Sequence, residues 1–309
     1  MDPLNPSAPE LTDFLLSLWD SGLSPETVRG YRAALNSVFK HTGCKVFEFH
    51  EVNALMRNFY LEKPVKRKEV PQWNLPLVLA FLKGAPFEPL EQASILDLTR
   101  KVVFLIALAS GRRRSEIHAF SGLDGAVRFT RSRSKVTLVQ LPSFVAKNQS
   151  PKFDSPLVEI PALLPREGDP SDANVLCPVR ALAIYLDRVT GFRGTRRRLF
   201  IPTCPSAAGE IKSDRITAWI RSVISESHAA SEDVSLPDER ISAHEVRALA
   251  TSWRMFSQSC SVSEIMQAAF WRSPRTFAEY YLRDLCGQTF DLYSLGPIVA
   301  GQAVVHPPE

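Results

Sequence analysis

In one stretch of this 309-residue chain the hydrophobic pattern has a different period, and that change restricts the possible folds. On both sides of the change, apolar residues recur at intervals of three and four, the spacing of one face of an α-helix. Between Ala126 and Ile160, apolar and polar residues alternate instead, in three short runs. Alternation is typical of a strand with one buried face. We therefore predict a mainly α fold that contains one small antiparallel sheet.

Helical spacing or a helix start signal marks much of the remaining chain. Ser24-Pro25-Glu26, for example, combines an N-cap residue, a proline at the first helical position and an early acid. The predicted helical segments are 11–19, 25–38, 52–59, 75–82, 90–109, 178–189, 215–225, 244–257, 263–269 and 275–284.

Prolines and charged residues indicate the domain boundaries. Three prolines within the first ten residues predict a mobile leader over 1–9, which an all-α unit follows over 10–62. Segment 63–71 has two prolines, four basic residues and one acid, so we predict a linker there. A larger, mainly α domain then fills 72–296, and a frayed tail follows over 297–309.

The linker has two interpretations that the sequence leaves open. Lys66, Arg67 and Lys68 can be the solvated charges of a simple connector, or they can lie along a phosphate backbone as a basic strap.

The composition sets limits on the class of protein. Lys and Arg exceed Asp and Glu by 37 to 33, a net charge of +4, which permits nucleic-acid binding without demonstrating it. The five cysteines form no CxxC pair, so neither a zinc site nor a disulfide framework is indicated. Val102 to Ala109, an apolar run of eight residues, is far shorter than the roughly 18 needed to span a bilayer. The N-terminus lacks a secretory pattern, and we expect no metal and no membrane association.

The first candidate site residue is Arg113, which follows the apolar helix just beyond Gly111. A guanidinium at the edge of a core can grip a phosphate through two hydrogen bonds. Glu116, three residues later, can hold Arg113 in place through an i,i+3 pair. The alternative is that this segment is only a solvated basic turn.

A second candidate pair lies at a predicted helix start. Ser242 and Glu245 have the spacing of a capping box, which places the first helical residue at Ala243. His244 and Arg247 then share one face near the helix N-terminus, where unpaired backbone N–H groups favour an anion. An incidental surface pair is the alternative.

The other candidates have ordinary structural explanations when they are taken one at a time. Trp271 can be a core residue, Tyr280 and Tyr281 can be packing residues, and Lys147 and Lys152 can be solvated loop lysines. Taken together, two arginines, a histidine, a lysine and a tyrosine can hold a phosphodiester and attack it without a metal. Their joint occurrence therefore favours a DNA-cleaving site.

In this order the motifs resemble those of the tyrosine recombinases, the phage-integrase-like enzymes that share their chemistry with type IB topoisomerases. Gly111-x-Arg113-x-Ser115-Glu116 resembles the first arginine motif of the family, and His244-x-x-Arg247 resembles its H-x-x-R motif. Trp271 stands where the family carries His or Trp. The family's lysine lies in the turn between the second and third strands, where Lys147 is better placed than Lys152.

The chain is most similar to the recombinases of DIRS-like and crypton-like mobile elements. Trp73-Asn74-Leu75, Leu176-Cys177-Pro178-Val179-Arg180 and Tyr281-Leu282-Arg283-Asp284 are typical of them. Many family members place the tyrosine nine residues after the His/Trp position, which would select Tyr280. The mobile-element branch tends to place it at ten, which selects Tyr281. Only one can face the phosphate, because consecutive side chains leave a helix about 100° apart.

The resemblance implies a helical core-binding domain over 10–62 and an α+β catalytic domain over 72–296 that together enclose duplex DNA. Tyr281 would form a 3′-phosphotyrosyl link, Arg113 and Arg247 would neutralise the phosphate, and His244 would assist proton transfer. Lys147 would protonate the leaving oxygen and Trp271 would position the phosphate, without any cofactor. Further basic residues are expected to contact DNA: Lys66, Arg67, Lys68, Arg112, Arg114, Arg272 and Arg275. The resemblance also implies a tetramer on paired DNA sites and a nuclear location.

Three other functions stay open at this point. The chain can be a DNA-binding protein derived from such an enzyme that no longer cleaves, although such a role requires no tyrosine nucleophile. It can be a topoisomerase-like enzyme, because strand passage uses the same residues. It can also be a helical interaction protein with no DNA partner. A DNA affinity that falls steeply as the salt concentration rises would exclude this last function, because such a fall indicates phosphate contacts.

Overall fold

The computed structural model describes residues 5–64, 73–147, 157–163, 175–204, 206–231, 243–257, 261–269, 273–274, 278 and 281. The chain divides into two compact units, Met1–Lys68 and Glu69–Glu309. The division falls inside the segment 63–71 that the sequence predicts as a linker.

The first unit is helical. It contains α1 (Ala8–Asp20), α2 (Pro25–Phe39) and α3 (His50–Glu62), with short 3-10 turns at Lys40–Thr42 and Val46–Glu48 between α2 and α3.

Helix α1 begins earlier than predicted, so the leader predicted over 1–9 is too long. The Glu10 carboxylate accepts hydrogen bonds from the Ser7 backbone N–H at 2.8 Å and from its hydroxyl at 2.9 Å, which stabilises the start at Ala8. In the sequence, Pro9 suggested a non-helical segment. In the structure it lies in the first turn of α1, where a backbone N–H is not needed for a helical hydrogen bond. The predicted start of α2 is confirmed: the Ser24 hydroxyl accepts from the Thr27 N–H at 3.3 Å.

The core of the first unit forms where the three helices face one another. Leu15 and Val52 are fully buried, and the Trp19 ring stacks on Phe59 with the ring centroids 4.3 Å apart. The apolar face predicted for α2 contributes unevenly, since Val28 is fully buried while Val38 is 64% exposed.

The second unit consists mainly of helices around a central one. They are α4 (Leu75–Phe81), α5 (Ile95–Ser110), α6 (Arg114–His118), α7 (Pro178–Arg193), α8 (Ser213–Ala229), α9 (Ala243–Ser257) and α10 (Val262–Ala268). Helix α5 packs against α7, α8 and α9. Its residues from Leu98 to Ala107 are all buried, and each large apolar side chain there contributes about 1.5–3 kcal/mol. This burial fixes the end of α5, from which the chain enters the candidate site.

The helix predicted over 90–109 begins later, at Ile95. The Ser94 hydroxyl accepts from the Asp97 N–H at 3.0 Å and caps the helix there. Leu90 is fully buried although it lies in a turn, and the Arg188 guanidinium donates to its carbonyl at 2.8 Å. The apolar spacing at Leu90 therefore reflects burial and not a helix.

The three predicted strands form one antiparallel sheet in the order β1 (Val127–Phe129), β2 (Lys135–Leu138) and β3 (Val158–Pro161). Val136 of β2 pairs with Phe129 on one side and with Ile160 on the other. Helix α5 also packs against β3. The predicted fold class, mainly α with a small antiparallel sheet, is confirmed. The helix predicted over 275–284 falls almost entirely outside the described residues.

Within the part of the chain that the structure describes, no helix combines the length and the apolar character needed to cross a membrane.

Candidate active site

The site is built where the central helix ends. Gly111 caps α5 with a positive φ of 58°, and its N–H donates to the Ala107 carbonyl at 3.0 Å. L-residues with a Cβ rarely adopt this left-handed conformation. A Cβ at Gly111 would lie 3.6 Å from the Thr251 side chain of α9, an ordinary contact. The glycine is therefore required by the backbone, which turns there and places Arg113 at the start of α6.

Arg113 is held by the carboxylate predicted to hold it. Its Nη1 lies 3.0 Å from Glu116 Oε1, and its backbone N–H donates to Glu116 Oε2 at 2.9 Å. The Glu116 side chain is only 1% exposed. Because both carboxylate oxygens bond to the same residue, the guanidinium of Arg113 is fixed in direction as well as in position.

Arg247 reaches the same carboxylate from α9. Its Nη1 is 3.9 Å from Glu116 Oε2, and its Nη2 donates to the Ala269 carbonyl oxygen at 2.6 Å. The residue is 2% exposed. Burial, and after it the nearby charge of Arg113, lowers the pKa of Arg247 to about 10, although Glu116 opposes the shift. The guanidinium therefore stays charged at neutral pH, at a free-energy cost that a bound anion would offset.

Tyr281 lies directly against Arg247. The guanidinium carbon is 5.1 Å from the centroid of the tyrosine ring, within the range of a cation–π contact. The Ser252 hydroxyl donates to the Tyr281 carbonyl at 3.1 Å, and the partly buried ring packs against Ile265 and Ala269. Helices α9 and α10 thus hold the backbone and the ring of this residue beside the second arginine.

Lys147 belongs to the connection between β2 and β3, which begins next to α6. The Leu141 N–H donates to the Ala119 carbonyl at 2.8 Å, and the Gln140 side chain donates to the Glu116 carbonyl at 3.5 Å. Six residues after Leu141, Lys147 is exposed and follows Ala146, which is buried. The connection therefore starts beside the helix that carries Glu116, and the lysine side chain is exposed to solvent.

No protein-family model matches the chain, and no curated protein matches it. Solved structures do match. An integrase of the Tn1549 transposon in complex with transposon right end DNA has a TM-score of 0.58 and 12% identity, and the match covers 96% of this chain and 85% of that chain. The XerH site-specific recombinase bound to a palindromic difH substrate, in a post-cleavage complex, has a TM-score of 0.56 and 15% identity, with coverage of 94% and 71%. A lambda integrase dimer bound to a COC′ core site has a TM-score of 0.52 and 15% identity, with coverage of 94% and 84%.

The chain shares its fold with these integrase and recombinase structures. Since the identities are 12–15%, this likeness concerns the architecture. Within this fold, the structure brings together four of the residues that the sequence predicts for the site. They are Arg113, Glu116, Arg247 and Tyr281.

The structure describes the other predicted site residues only in part or not at all. His244 lies in the first turn of α9, three residues before Arg247, and the structure does not describe its side chain. Seven predicted residues fall outside the described parts of the chain altogether: Lys66, Arg67, Lys68, Lys152, Trp271, Arg272 and Arg275. The alternative nucleophile Tyr280 also falls outside them.

Two further arginines that are predicted to contact DNA have other surroundings in the structure. Arg112 is 4% exposed and lines a mostly apolar cavity of about 530 Å³ together with Leu105, Leu108 and Leu176. The DNA contact of Arg112 stays a prediction. Arg114 donates to Asp214 of α8 at 2.7 Å, although this pair is largely exposed and can open.

Two contacts near the site could not be predicted from the sequence. The Ala269 carbonyl that accepts from Arg247 belongs to the backbone, so no residue type marks it. Asp214, the partner of Arg114, is one hundred residues away along the chain. Among the described residues, no group of three or more His, Cys, Asp or Glu side chains is placed to hold a metal ion.

Proposed function

We propose that the protein cleaves and rejoins double-stranded DNA through Tyr281, as a site-specific recombinase. One observation carries the proposal: two arginines from different helices share the buried carboxylate of Glu116, and the tyrosine ring lies against one of them. The tyrosine recombinase fold of the chain supports it, as do the DNA complexes of the integrases and recombinases that it resembles.

The charges of the arrangement suit a phosphodiester. Arg113 and Arg247 bring two positive charges to a place where Glu116 supplies one negative charge, and both Glu116 and Arg247 are almost fully buried. In the transition state of phosphoryl transfer, negative charge builds on the non-bridging oxygens of the phosphate. Cations that are already fixed in a desolvated site stabilise this charge without reorganising.

In the proposed reaction, the Tyr281 hydroxyl oxygen attacks phosphorus and the bond from phosphorus to the 5′ oxygen breaks. The electron pair leaves with that oxygen, Lys147 protonates it, and His244 assists the removal of the phenol proton. The products are a 3′-phosphotyrosyl link and a free 5′-hydroxyl. Attack by a 5′-hydroxyl of a second duplex reverses the steps and rejoins the DNA, so the energy of the phosphodiester bond is conserved.

The wider biological setting is part of the proposal and depends on the sequence. The motif Leu176-Cys177-Pro178-Val179-Arg180 and the tyrosine spacing favour a recombinase of a DIRS-like or crypton-like mobile element. We propose that Trp271 positions the phosphate, that the protein works as a tetramer on paired DNA sites, and that it acts in the nucleus.

Covalent capture tests the chemistry. A pool of random duplexes is incubated with the protein, denatured in detergent and enriched for DNA that stays attached. The selected sequence is then made with a nick beside the cleavage position, so that the released 5′-hydroxyl fragment diffuses away and the adduct accumulates. We expect an adduct with the wild type and with Tyr280→Phe, none with Tyr281→Phe, and a phosphotyrosine at Tyr281 by peptide mass spectrometry.

The variants separate the alternatives. Loss of the adduct only in Tyr280→Phe would keep the reaction and assign the other nucleophile. Bound DNA without any adduct in the wild type would contradict cleavage and indicate a binding protein that has lost activity. Relaxation of supercoiled DNA without exchange between two duplexes would indicate a topoisomerase-like enzyme.

A further inference from the structure

Trp73 and Asn74 are the first described residues of the second unit, and they contact three of its helices. The Trp73 ring meets Phe104 of α5 edge-on, with centroids 6.4 Å apart. Its indole reaches α9, and the backbone of Asn74 reaches α8. The proposed reaction uses neither residue, although the sequence marks Trp73-Asn74-Leu75 as a motif.

The contact with α9 is a hydrogen bond between side chains 172 residues apart. Trp73 Nε1 donates to Glu245 Oε2 at 3.1 Å, and Trp73 is 5% exposed. Hydrogen bonds to charged groups contribute about 1.5–3 kcal/mol when they are shielded from water. This bond is therefore strong enough to hold the carboxylate in one place.

The contact with α8 fixes the backbone from which the indole extends. The Asn74 N–H donates to His228 Nε2 at 3.1 Å, and His228 Nδ1 lies 2.9 Å from the Ile224 carbonyl. These two bonds require the proton on Nδ1 and a lone pair on Nε2, which is the neutral ring. His228 is 3% exposed. Trp73 is thus anchored by a buried contact next to it in the chain, and its indole is a rigid donor.

Glu245 lies in the first turn of α9, between His244 and Arg247. Each residue of a helix is rotated by about 100° from the one before it. A fixed Glu245 carboxylate therefore also fixes the direction in which residue 247 leaves the helix. Arg247 contacts both Glu116 and the Ala269 carbonyl, so a rotation of the first turn of α9 would move its guanidinium away from both groups.

We propose that Trp73 is a positioning residue for the candidate active site, which sets the first turn of α9 through Glu245. The inference rests on the proposed function for its effect on cleavage. Its structural part, the coupling of the indole to the first turn of α9, does not depend on cleavage.

Single-turnover formation of the covalent adduct tests the effect. Trp73→Phe keeps a ring against Phe104 and removes the indole N–H. We expect the adduct to form about ten- to a hundredfold more slowly, since displacement of catalytic groups by about 1 Å can cost a hundredfold, with DNA affinity changed by less than about twofold. Trp219→Phe is the matched control, because Trp219 is equally buried at 4% on α8, and we expect it to retain the wild-type rate.

Variants of Glu245 separate positioning from general destabilisation. We expect Glu245→Ala to slow cleavage as Trp73→Phe does, the double variant to be no slower than either single one, and Glu245→Gln to restore much of the rate because it keeps an acceptor oxygen. Losses that multiply in the double variant would overturn the proposal. So would a wild-type rate in Trp73→Phe, or a loss that Trp219→Phe shares.

Hydrogen exchange measures the coupling without any cleavage. We expect amides of residues 243–250 to exchange faster in Trp73→Phe than in the wild type or in Trp219→Phe. If the wild type forms no adduct, the proposed function fails, and the exchange rates still decide the coupling. Unchanged exchange in Trp73→Phe would overturn it.

Discussion

Glu116 carries one negative charge and lies against two guanidinium groups. Its carboxylate is 3.0 Å from Arg113 and 3.9 Å from Arg247, and its side chain is 1% exposed. Solvent screens these charges less than it screens surface charges, so the excess of positive charge attracts an anion that enters between the arginines. At the scale of single residues, this imbalance selects an anion with several oxygens, and a phosphodiester has two non-bridging ones.

Arg247→Lys tests whether cleavage needs only the positive charge of Arg247 or also the fixed directions of the N–H donors on its planar guanidinium. A lysine cannot bond to Glu116, the Ala269 carbonyl and a phosphate in the same fixed directions. We expect the rate of adduct formation at neutral pH to fall by about ten- to a hundredfold, corresponding to about 1.4–2.7 kcal/mol in the barrier. A rate equal to that of the wild type would show that Arg247 does not act on the phosphate.

The same variant should change the pH dependence. Burial and the nearby charge of Arg113 lower the pKa of Arg247 to about 10, so most wild-type molecules keep this charge at pH values below that. A buried lysine starts from an ordinary pKa of about 10.4, and burial lowers it too, so it loses its proton at a lower pH than arginine does. Since the protonated form stabilises the transition state, the rate of Arg247→Lys relative to the wild type should fall as pH rises from about 7 to 9.5. A constant ratio over that range would contradict this account.

Part of the site could be predicted at the residue scale and part could not. Arg113 is the N-cap residue of α6 and Glu116 lies three residues later in its first turn, so their pairing follows from local helix geometry alone. The bond from Arg247 to the Ala269 carbonyl depends on how α9 packs against α10, and a backbone carbonyl leaves no mark in the sequence. The position of Tyr281 over Arg247 likewise follows from packing, although its residue type and spacing made it a candidate.

At the scale of elements, the positions of the three strands were predicted from the sequence more accurately than the first residue of each helix. The three strands lie where alternation predicts them, because every second side chain meets the core. Helix α5 begins five residues later than predicted, since Leu90 is buried without being helical. Tertiary contacts of the segment before α5, which local periodicity does not contain, determine that boundary.

A buried ionic cluster holds this segment against α5 and α7. Lys101 of α5 is fully buried, and its Nζ donates to Glu88 Oε1 at 2.6 Å and to the Leu82 carbonyl at 2.7 Å. Arg180 of α7 donates to the same Glu88 oxygen at 3.1 Å, but its side chain is 30% exposed. Burial lowers the pKa of Lys101, and the bond to Glu88 opposes that shift. Glu88 is therefore the carboxylate that keeps the buried lysine charged.

Glu88→Gln should destabilise the protein much more than Arg180→Gln. The first change leaves Lys101 buried without its carboxylate and is expected to lower the free energy of unfolding by about 3–5 kcal/mol. The second leaves Lys101 and Glu88 paired while a partly exposed cation is lost, at a cost of about 1 kcal/mol or less. Urea unfolding of both variants at neutral pH measures the difference, and equal losses would contradict the assigned role of Glu88.

The pH dependence of the two variants should also differ. In Glu88→Gln the pKa of Lys101 falls further below its ordinary value, so in the alkaline range the unfolded chain binds more protons than the folded one. The free energy of unfolding then rises with pH between the folded and unfolded pKa values of the lysine. Urea unfolding is therefore repeated at about pH 9. Relative to neutral pH, the free energy of unfolding should rise more for Glu88→Gln than for Arg180→Gln.

At the scale of the whole molecule, the net charge of +4 is too small to indicate a DNA-binding protein. The charge is distributed unevenly, and segment 63–71 has four basic residues with one acid. The division between the two units falls in this segment. The sequence leaves open whether Lys66, Arg67 and Lys68 are solvated connector charges or phosphate contacts, and the two interpretations differ in a measurable property.

That property is the salt dependence of DNA affinity. Each phosphate that a basic side chain neutralises adds about −0.9 to the slope of log affinity against log salt concentration, because counterions are released from the DNA. If all three side chains contact phosphates, changing Lys66, Arg67 and Lys68 together to Ala should make the slope shallower by about 2.7. Affinity should fall by a similar factor on different DNA sequences, since phosphate contacts carry no base information. The control variant, with Lys66→Arg, Arg67→Lys and Lys68→Arg, keeps every charge and should keep the slope. An unchanged slope in the alanine variant would show that the segment is a solvated connector, and the phosphate contacts would then have to come from the two folded units.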